Sequence, residues 1–275
     1  MTEPAALPEE VVSAVRALAG TARLLVALDF DGTLAPIVDR PQDARALPVA
    51  AAAAARLEAA RNTRVAYVSG RDLASLRAVA DPPPGTLLVG SHGVQFQLGG
   101  DEPEVGKPDP GELDESERAR LTELSEVLAQ VVDPVEHVWL ERKPAGIAVH
   151  TRLAAADDGR VAQSQARLAV AGIPGLTVRE GKDVLEFSVR SATKGGAIAR
   201  LRHFTDATAT FYAGDDVTDE DAFAALGPGD VGVKVGAGST SAAYRVADCA
   251  QFAVLLRVLA DARDGLVGEL VREGS

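Results

Sequence analysis

The stretch LLVALDFDGTL, Leu24–Leu34, decides the fold class of this chain. It begins with five apolar residues in a row, which is typical of a strand buried on both faces of a parallel sheet. Two acidic residues follow directly, Asp29 and Asp31, and Gly32 allows the chain to turn there. Because ligands of open α/β sheets bind beyond the carboxyl ends of the strands, we expect both acids to face a common pocket.

Short apolar runs of the same kind alternate with helix-prone segments along the rest of the chain. The pattern predicts further strands at Val65–Val68, Leu87–Val89, Thr210–Ala213 and Val231–Val235. Helices are predicted at Val11–Ala19, Ala44–Arg61, Gly195–His203 and Ala250–Leu259, and another after Ser69, its expected N-cap. This alternation predicts an α/β fold with a doubly wound, Rossmann-like parallel sheet.

The alternation is interrupted in the middle of the chain. The passage 101–118 is polar and rich in Pro and Gly, which is typical of a domain boundary. Beyond it the pattern predicts helices at about Arg118–Val131 and at Gly159–Ala171, and strands at His137–Glu141, Gly146–Arg152 and Val184–Val189. We therefore predict a core domain of residues 1–102 and 189–275 with an inserted α+β cap domain of residues 103–188.

The composition argues against several classes of function. The chain has 275 residues and a formal net charge of −12, and 4% of its residues are aromatic. An acidic, aromatic-poor surface is unsuited to nucleic acid. The single cysteine, Cys249, forms no internal disulfide, and the acidic N-terminus is unlike a signal peptide. We expect a cytoplasmic monomer that binds neither membranes nor nucleic acid.

A second acidic segment, GDDVTDED at Gly214–Asp221, follows another apolar run. Five acids in seven positions repel one another unless a positive charge is near. Asp219 and Glu220 are placed to cap the helix that follows, whereas Asp215 and Asp216 come too early for capping. A divalent cation would hold these two beside the acids after the first strand, and oxygen ligands favour Mg²⁺.

Two further residues could bind an anion. Ser69 lies where a strand passes into a helix, so its hydroxyl and the neighbouring N–H groups are suited to a phosphate. Lys194 also lies at a helix start, and two glycines follow it. Taken singly, such a Ser is usually a helix cap and such a Lys a surface charge. The evidence for an anion site is instead their order along the chain, because both residues lie between the two acidic segments.

This ordered set resembles the haloacid dehalogenase superfamily of phosphotransferases. The resemblance implies that Asp29 is a nucleophile that forms an aspartyl-phosphate and that Asp31 is the general acid and base. It implies that Ser69 and Lys194 hold the phosphate. It also implies a Mg²⁺ cofactor, bound by the Asp29 carboxylate, the Asp31 backbone carbonyl and Asp215, with Asp216 or Asp219 assisting.

Several segments are similar to the trehalose-6-phosphate phosphatase family in particular. They are DFDGTLAPI (Asp29–Ile37), VSGRD (Val68–Asp72), GSHG (Gly90–Gly93), ERKPAGIAVHTR (Glu141–Arg152), GKDVLEFSVRSATKG (Gly181–Gly195) and GDDVTDEDAF (Gly214–Phe223). The implied reaction is hydrolysis of trehalose 6-phosphate to trehalose and phosphate. The residues implied to bind this small-molecule substrate are Arg71, His92, Glu141, Lys143, Lys182 and Glu186.

Other interpretations stay open. The substrate could be another sugar phosphate, such as sucrose 6-phosphate, or the chain could be a non-catalytic regulatory module that accepts phosphate on an aspartate. Asp31 and the inserted domain argue against such a module. In the insert, two candidate substrate residues also have a purely structural interpretation. Lys143 fits a solvent-facing salt-bridge partner, and Glu186 fits a partner of Lys182. Trp139 is interpreted as a packing or surface residue.

Overall fold

The fold was analysed in a computed structural model, which describes residues 6–99, 113–181, 183–190 and 192–273, with side chains as far as residue 265. The chain divides into two compact units. Unit 1 comprises Met1–Gly106 and Thr193–Ser275, and unit 2 comprises Lys107–Ala192. Within the described residues, no helix is long and apolar enough to cross a membrane.

The described residues form eight α-helices and eleven strands. The helices are α1 (Glu9–Ala19), α2 (Pro48–Ala59), α3 (Leu73–Ala80), α4 (Glu115–Val132), α5 (Ala156–Ala169), α6 (Lys194–Thr205), α7 (Glu220–Ala224) and α8 (Cys249–Glu273). The strands are β1 (Leu24–Leu28), β2 (Thr63–Val68), β3 (Leu87–Gly90), β4 (Gln95–Gln97), β5 (Trp139–Lys143), β6 (Gly146–His150), β7 (Thr177–Gly181), β8 (Val184–Ser188), β9 (Ala209–Gly214), β10 (Val231–Val235) and β11 (Tyr244–Val246).

Unit 1 is built on a seven-stranded sheet in the order β11-β10-β9-β1-β2-β3-β4. Every neighbouring pair is parallel except β3 with β4. The apolar run that forms β1 lies in the centre of the sheet, and all five of its residues are buried. The chain therefore leaves the middle strand at Asp29, whose N–H donates to the Ala213 carbonyl at the end of β9 (2.9 Å).

Helices cover both faces of this sheet. Leu24, Val26 and Leu28 belong to a core that includes buried side chains of α1, α2, α3 and α8. Leu25 and Ala27, which alternate with them, belong to a second core with side chains of α6 and α7. This alternation confirms the predicted doubly wound α/β fold, since a strand with helices on both faces needs apolar residues at every position.

Unit 2 is an antiparallel sheet in the order β5-β6-β8-β7, together with α4 and α5. Side chains alternate between its two faces: Leu185 and Phe187 are buried, whereas Glu186 between them is partly exposed. Helix α4 packs against β5 and β6. It begins at a capping box in which Asp114 and Glu117 satisfy each other's backbone N–H groups.

The structure corrects several sequence-based expectations. Strands β4, β7 and β11 are not predicted, because QFQ and YRV have only three residues each and TVREG has no apolar run. The expected N-cap at Ser69 is wrong. Helix α3 begins later, and its N-cap Asp72 accepts a hydrogen bond from the Ser75 N–H (2.8 Å).

Candidate active site

Asp29 leaves the central strand of unit 1 into a buried ion pair. The residue is 4% exposed, and its Oδ1 accepts a hydrogen bond from Lys194 Nζ at 2.6 Å. Lys194 is the first residue of α6 and is itself 2% exposed. The preceding Thr193 caps this helix by accepting from the Gly196 N–H (3.1 Å). The helix start thus fixes the ammonium group at the carboxyl end of β1.

Lys194 bridges to a second buried acid, Asp219. Its Nζ lies 2.6 Å from Asp219 Oδ1, which also accepts from the Tyr212 hydroxyl at 2.6 Å. The other oxygen of Asp219 accepts from the Asp216 N–H (2.8 Å). The expectation that Asp219 caps the following helix is therefore wrong, because its carboxylate is fully buried and makes no cap hydrogen bond there.

The two acidic segments meet in one cluster. One carboxylate oxygen each of Asp29, Asp215 and Asp219 lie within 4.8 Å of one another. Gly32 permits the approach: its φ is +82°, and a Cβ there would lie 2.0 Å from Asp215 Oδ2. Asp216 is not one of these three acids, and its Oδ1 accepts from the neighbouring Val217 N–H (2.7 Å). Of the two candidate assisting acids, the structure brings Asp219 to the cluster.

Burial governs the electrostatics of the cluster. It raises the pKa of Asp29 well above its usual value, and the charges of Asp219 and Asp215 raise it further, whereas Lys194 opposes the rise. Burial, together with Asp219, raises the pKa of Asp215 to about 6. Burial would lower the pKa of Lys194, but its two carboxylate partners raise it above the usual value. Three acids thus share one ammonium group.

The donor set fits a hard divalent cation. Asp215 Oδ1 is buried and has no hydrogen-bond partner among the described residues. A buried oxygen without a partner is costly, and a cation that it ligates would remove that cost. All the clustered groups are carboxylates, the ligand type that Mg²⁺ prefers. The residues present therefore suit the metal that the sequence predicts.

A second buried lysine supports the loop that carries Asp215. Lys234, the fourth of the five residues of β10, is 4% exposed. Its Nζ donates to the backbone carbonyl of Asp215 at 2.7 Å and to that of Asp216 at 3.2 Å, and it lies 3.6 Å from Glu220 Oε1. The loop is therefore held through its backbone, which leaves the carboxylate of Asp215 free to face the cluster.

Asp31 is held by Arg71. The guanidinium makes two hydrogen bonds to the carboxylate, from Nε to Oδ2 at 2.5 Å and from Nη2 to Oδ1 at 2.6 Å. Arg71 also donates to the Pro41 carbonyl (2.8 Å), so the guanidinium is itself fixed. Planar pairing of this kind is strong and directional. The structure thus brings together the residue predicted as general acid and one predicted to bind substrate.

Ser69 and His92 lie in two loops that pack on each other. Ser69 is 1% exposed, and its Oγ accepts from the Arg71 N–H (3.1 Å). The His92 N–H donates to the Ser69 carbonyl at 3.0 Å. Gly70 lies against the His92 imidazole, where a Cβ would be 2.6 Å from Cε1. His92 itself adopts a φ of +56°, a strained conformation that often accompanies function.

Three further predicted substrate residues, Glu141, Lys143 and Glu186, lie on one face of the unit 2 sheet. Glu141 Oε2 is 2.7 Å from His150 Nε2, and Lys143 forms an ion pair with Glu186. The sequence-based alternative for Glu186, a pairing with Lys182, concerns a residue outside those that the structure describes. Glu141, Lys143, His150 and Glu186, with Trp139, are called the polar face below.

The family model described as Trehalose-phosphatase matches residues 27–250. This range contains both acidic segments, Ser69, Lys194 and the whole of unit 2. The chain belongs to the trehalose-phosphatase family.

Relatives and solved structures agree with the family assignment. A trehalose-phosphate phosphatase of Mycobacterium marinum is 37% identical over 224 residues, which is 78% of this chain and 54% of that protein. The chain thus spans about half the length of the curated relatives that it matches. The structure of Aspergillus fumigatus trehalose-6-phosphate phosphatase is 25% identical, with a TM-score of 0.68, over 94% of this chain and 100% of that one. The C-terminal domain of the Candida albicans trehalose-6-phosphate phosphatase shares the fold at 22% identity, with a TM-score of 0.73 over 94% and 98% of the two chains.

Two residues that contact the acidic segment Gly214–Asp221 were not predicted from the sequence. Lys234 interrupts the otherwise apolar stretch VGVKV, and a charge inside a buried strand is a usable signal. Tyr212 carries no such signal, because a tyrosine in the strand ATFYAG is equally compatible with ordinary packing. Its hydroxyl is recognisable as part of the site only from its contact with Asp219.

Proposed function

We propose that the chain is a Mg²⁺-dependent phosphatase that hydrolyses trehalose 6-phosphate to trehalose and phosphate through an aspartyl-phosphate on Asp29. The observation that carries the proposal is the buried Lys194, which holds Asp29 and Asp219 at 2.6 Å each, with Asp215 in the same cluster. A nucleophilic carboxylate must be ionised and fixed in position; Lys194 fixes Asp29 and opposes the rise of its pKa on burial. The cytoplasmic location and the monomeric state stay predictions from the sequence.

Asp29 attacks the phosphorus atom in this mechanism. The carboxylate oxygen forms a bond to phosphorus while the bond to the sugar oxygen breaks, and water then hydrolyses the acyl phosphate. Mg²⁺, held by Asp29, Asp215 and Asp219 and by the Asp31 carbonyl, would neutralise negative charge on the phosphate and on these acids. Lys194 favours the ionised form of Asp29 against the effect of burial and orients its carboxylate through the hydrogen bond to Oδ1.

Asp31 moves the proton in this mechanism. As a carboxylic acid it donates to the sugar oxygen that leaves, and as a carboxylate it accepts a proton from the water that attacks the intermediate. Its two hydrogen bonds to Arg71 occupy both oxygens. The ion pair between Asp31 and Arg71 must therefore break before Asp31 donates its proton. We expect the bound substrate to compete with Asp31 for the Arg71 guanidinium.

Ser69 and Lys194 hold the phosphate. The Ser69 oxygen accepts from the Arg71 N–H, which leaves its hydroxyl proton available to a phosphate oxygen. Lys194 brings a positive charge to the same end of the sheet, at the start of α6. We assign recognition of the sugar to the polar face, whose carboxylates and lysine match hydroxyl groups that both donate and accept hydrogen bonds.

The test is phosphate release from a panel of trehalose 6-phosphate, sucrose 6-phosphate and glucose 6-phosphate, with Mg²⁺ and with a chelator. The expected result is turnover that requires Mg²⁺ and is fastest on trehalose 6-phosphate. Faster release from sucrose 6-phosphate would reassign the substrate within the same reaction class. A chain that becomes phosphorylated but releases no phosphate from any ester would instead be a regulatory module.

A further inference from the structure

Trp139 is the one tryptophan of the chain, and it is not packed into a core. The side chain lies at the start of β5 and is 39% exposed. Its ring stacks on the His150 imidazole, with the centroids 4.8 Å apart and the planes 8° from parallel. His150 is fixed in turn by Glu141, whose Oε2 is 2.7 Å from Nε2. Three side chains thus hold a flat aromatic surface in one orientation.

Strand register places this surface beside the charged groups of the polar face. Trp139 is opposite His150, and Glu141 is opposite Ala148. Ala148 is in turn opposite Glu186 on the next strand. Because residues opposite one another in antiparallel strands point to the same side, the stacked rings, Glu141 and Glu186 share one face.

A pyranose ring has matching chemistry. One side of the ring presents C–H groups, which pack on an aromatic plane, and its rim presents hydroxyls, which hydrogen-bond to carboxylates and ammonium groups. The aromatic surface of Trp139 and His150, next to Glu141 and the Lys143–Glu186 pair, offers both. A surface that only packed against protein would not need ionic groups around it.

We infer that Trp139 is a specificity-determining residue that stacks on the pyranose ring without the phosphate. This inference rests on the proposed function, in which the other ring is positioned by its phosphate. An enzyme that distinguishes a disaccharide phosphate from glucose 6-phosphate must sense the second ring. His150 and Glu141 act as positioning residues that set the angle of the indole.

The first test uses the fluorescence of this single tryptophan. The chain with Asp29→Asn, which binds but does not turn over, is titrated with trehalose 6-phosphate and with glucose 6-phosphate. The inference expects a saturable change in emission with the disaccharide and none with glucose 6-phosphate. Unchanged emission while calorimetry detects binding of trehalose 6-phosphate would overturn it, as would an equal change with both ligands.

The second test separates KM from kcat. Trp139→Ala should raise KM for trehalose 6-phosphate about tenfold with kcat nearly unchanged, since the stacking contact is lost equally in ground and transition states. Trp139→Phe should restore most of the affinity, and neither variant should alter hydrolysis of p-nitrophenyl phosphate. Val178→Ala, at a side chain of similar exposure (40%) on the same sheet, is the matched control and should behave as wild type.

The wild-type chain in the same assay distinguishes the two levels of inference. If it hydrolyses trehalose 6-phosphate while Trp139→Ala shows an unchanged KM, the stacking role is wrong and the proposed function stands. If the wild-type chain releases no phosphate from trehalose 6-phosphate, the proposed function fails and the stacking role fails with it.

Discussion

The acidic cluster of unit 1 and the polar face of unit 2 differ in how their charged side chains are paired. In unit 1 the carboxylates of Asp29, Asp215 and Asp219 are gathered around Lys194, and burial keeps water from screening them. On the polar face of unit 2 every acid has its own partner, and the side chains are a quarter to half exposed. The first region has an excess of negative charge that suits a cation, whereas in the second each acid is paired with its own lysine or histidine. We therefore expect substitutions in unit 1 to affect every substrate and substitutions on the polar face to affect the choice among substrates.

The largest effect expected is that of Asp29→Asn. The amide is a poor nucleophile, so kcat should fall by about 10⁴-fold or more on every phosphate ester, measured as phosphate release. Its similar size should preserve the fold, which circular dichroism checks. The matched control is Asp43→Asn, at an exposed position, and it should retain full activity. Turnover by Asp29→Asn within tenfold of wild type would exclude the covalent mechanism.

The next effect tests the support of the acidic cluster. Lys234→Met keeps the length of the buried side chain but removes the group that donates to the Asp215 and Asp216 carbonyls. With this loop released, Mg²⁺ affinity measured by calorimetry should weaken by about tenfold or more, because supporting contacts orient metal ligands. Lys143→Met is the matched control on the polar face, and it should leave Mg²⁺ affinity unchanged. Equal affinities for both variants and wild type would mean that Lys234 does not position the ligands.

The sequence predicts unit 1 better than unit 2 for a physical reason. Strand β1 is apolar at every position and ends in Asp29, so both its burial and its chemistry are encoded in consecutive residues. The polar face is encoded only by register, because Glu141 and Glu186 come together through strands far apart in the chain. The predicted strand His137–Glu141 contains Trp139, but the sequence does not show that His150 lies opposite it on β6 and stacks on its ring.

Long-range contacts also limit what the sequence reveals within unit 1. Arg71 and Asp31 are 40 residues apart, and only the folded chain shows that they form a bidentate pair. Asp219 has an acidic neighbour and precedes a helix, a local pattern that favours capping. Its contacts with Lys194 and Tyr212 prevail because a buried ammonium group needs a carboxylate more than an exposed helix start needs a cap.

A smaller effect is expected from the polar face, and it should depend on substrate. Glu186→Gln removes the charge that pairs with Lys143 while keeping the shape of the side chain. We expect KM for trehalose 6-phosphate to rise about fivefold to tenfold, since a charged hydrogen bond to a hydroxyl is lost. Hydrolysis of p-nitrophenyl phosphate, which has no sugar, should be unchanged. A parallel loss on both substrates would mean that Glu186 acts on the chemistry or on the fold.

The smallest effect is a pH dependence that should belong to unit 1 alone. Burial and Asp219 raise the pKa of Asp215 to about 6, so below this pH a proton competes with the cation for its carboxylate. From about pH 7 to about pH 6, the Mg²⁺ affinity measured by calorimetry should fall about twofold through Asp215 alone, and the raised pKa of Asp29 acts in the same direction.

For the chain without Mg²⁺, in a chelator, the raised pKa of Asp215 has the opposite consequence. The folded form binds more protons than the unfolded form between about pH 4 and about pH 6. Its Tm should therefore decrease as the pH rises through this window. Glu186→Gln should leave the pH profile of Mg²⁺ affinity unchanged. A Mg²⁺ affinity independent of pH would show that Asp215 is ionised throughout and that its burial is compensated by something other than the metal.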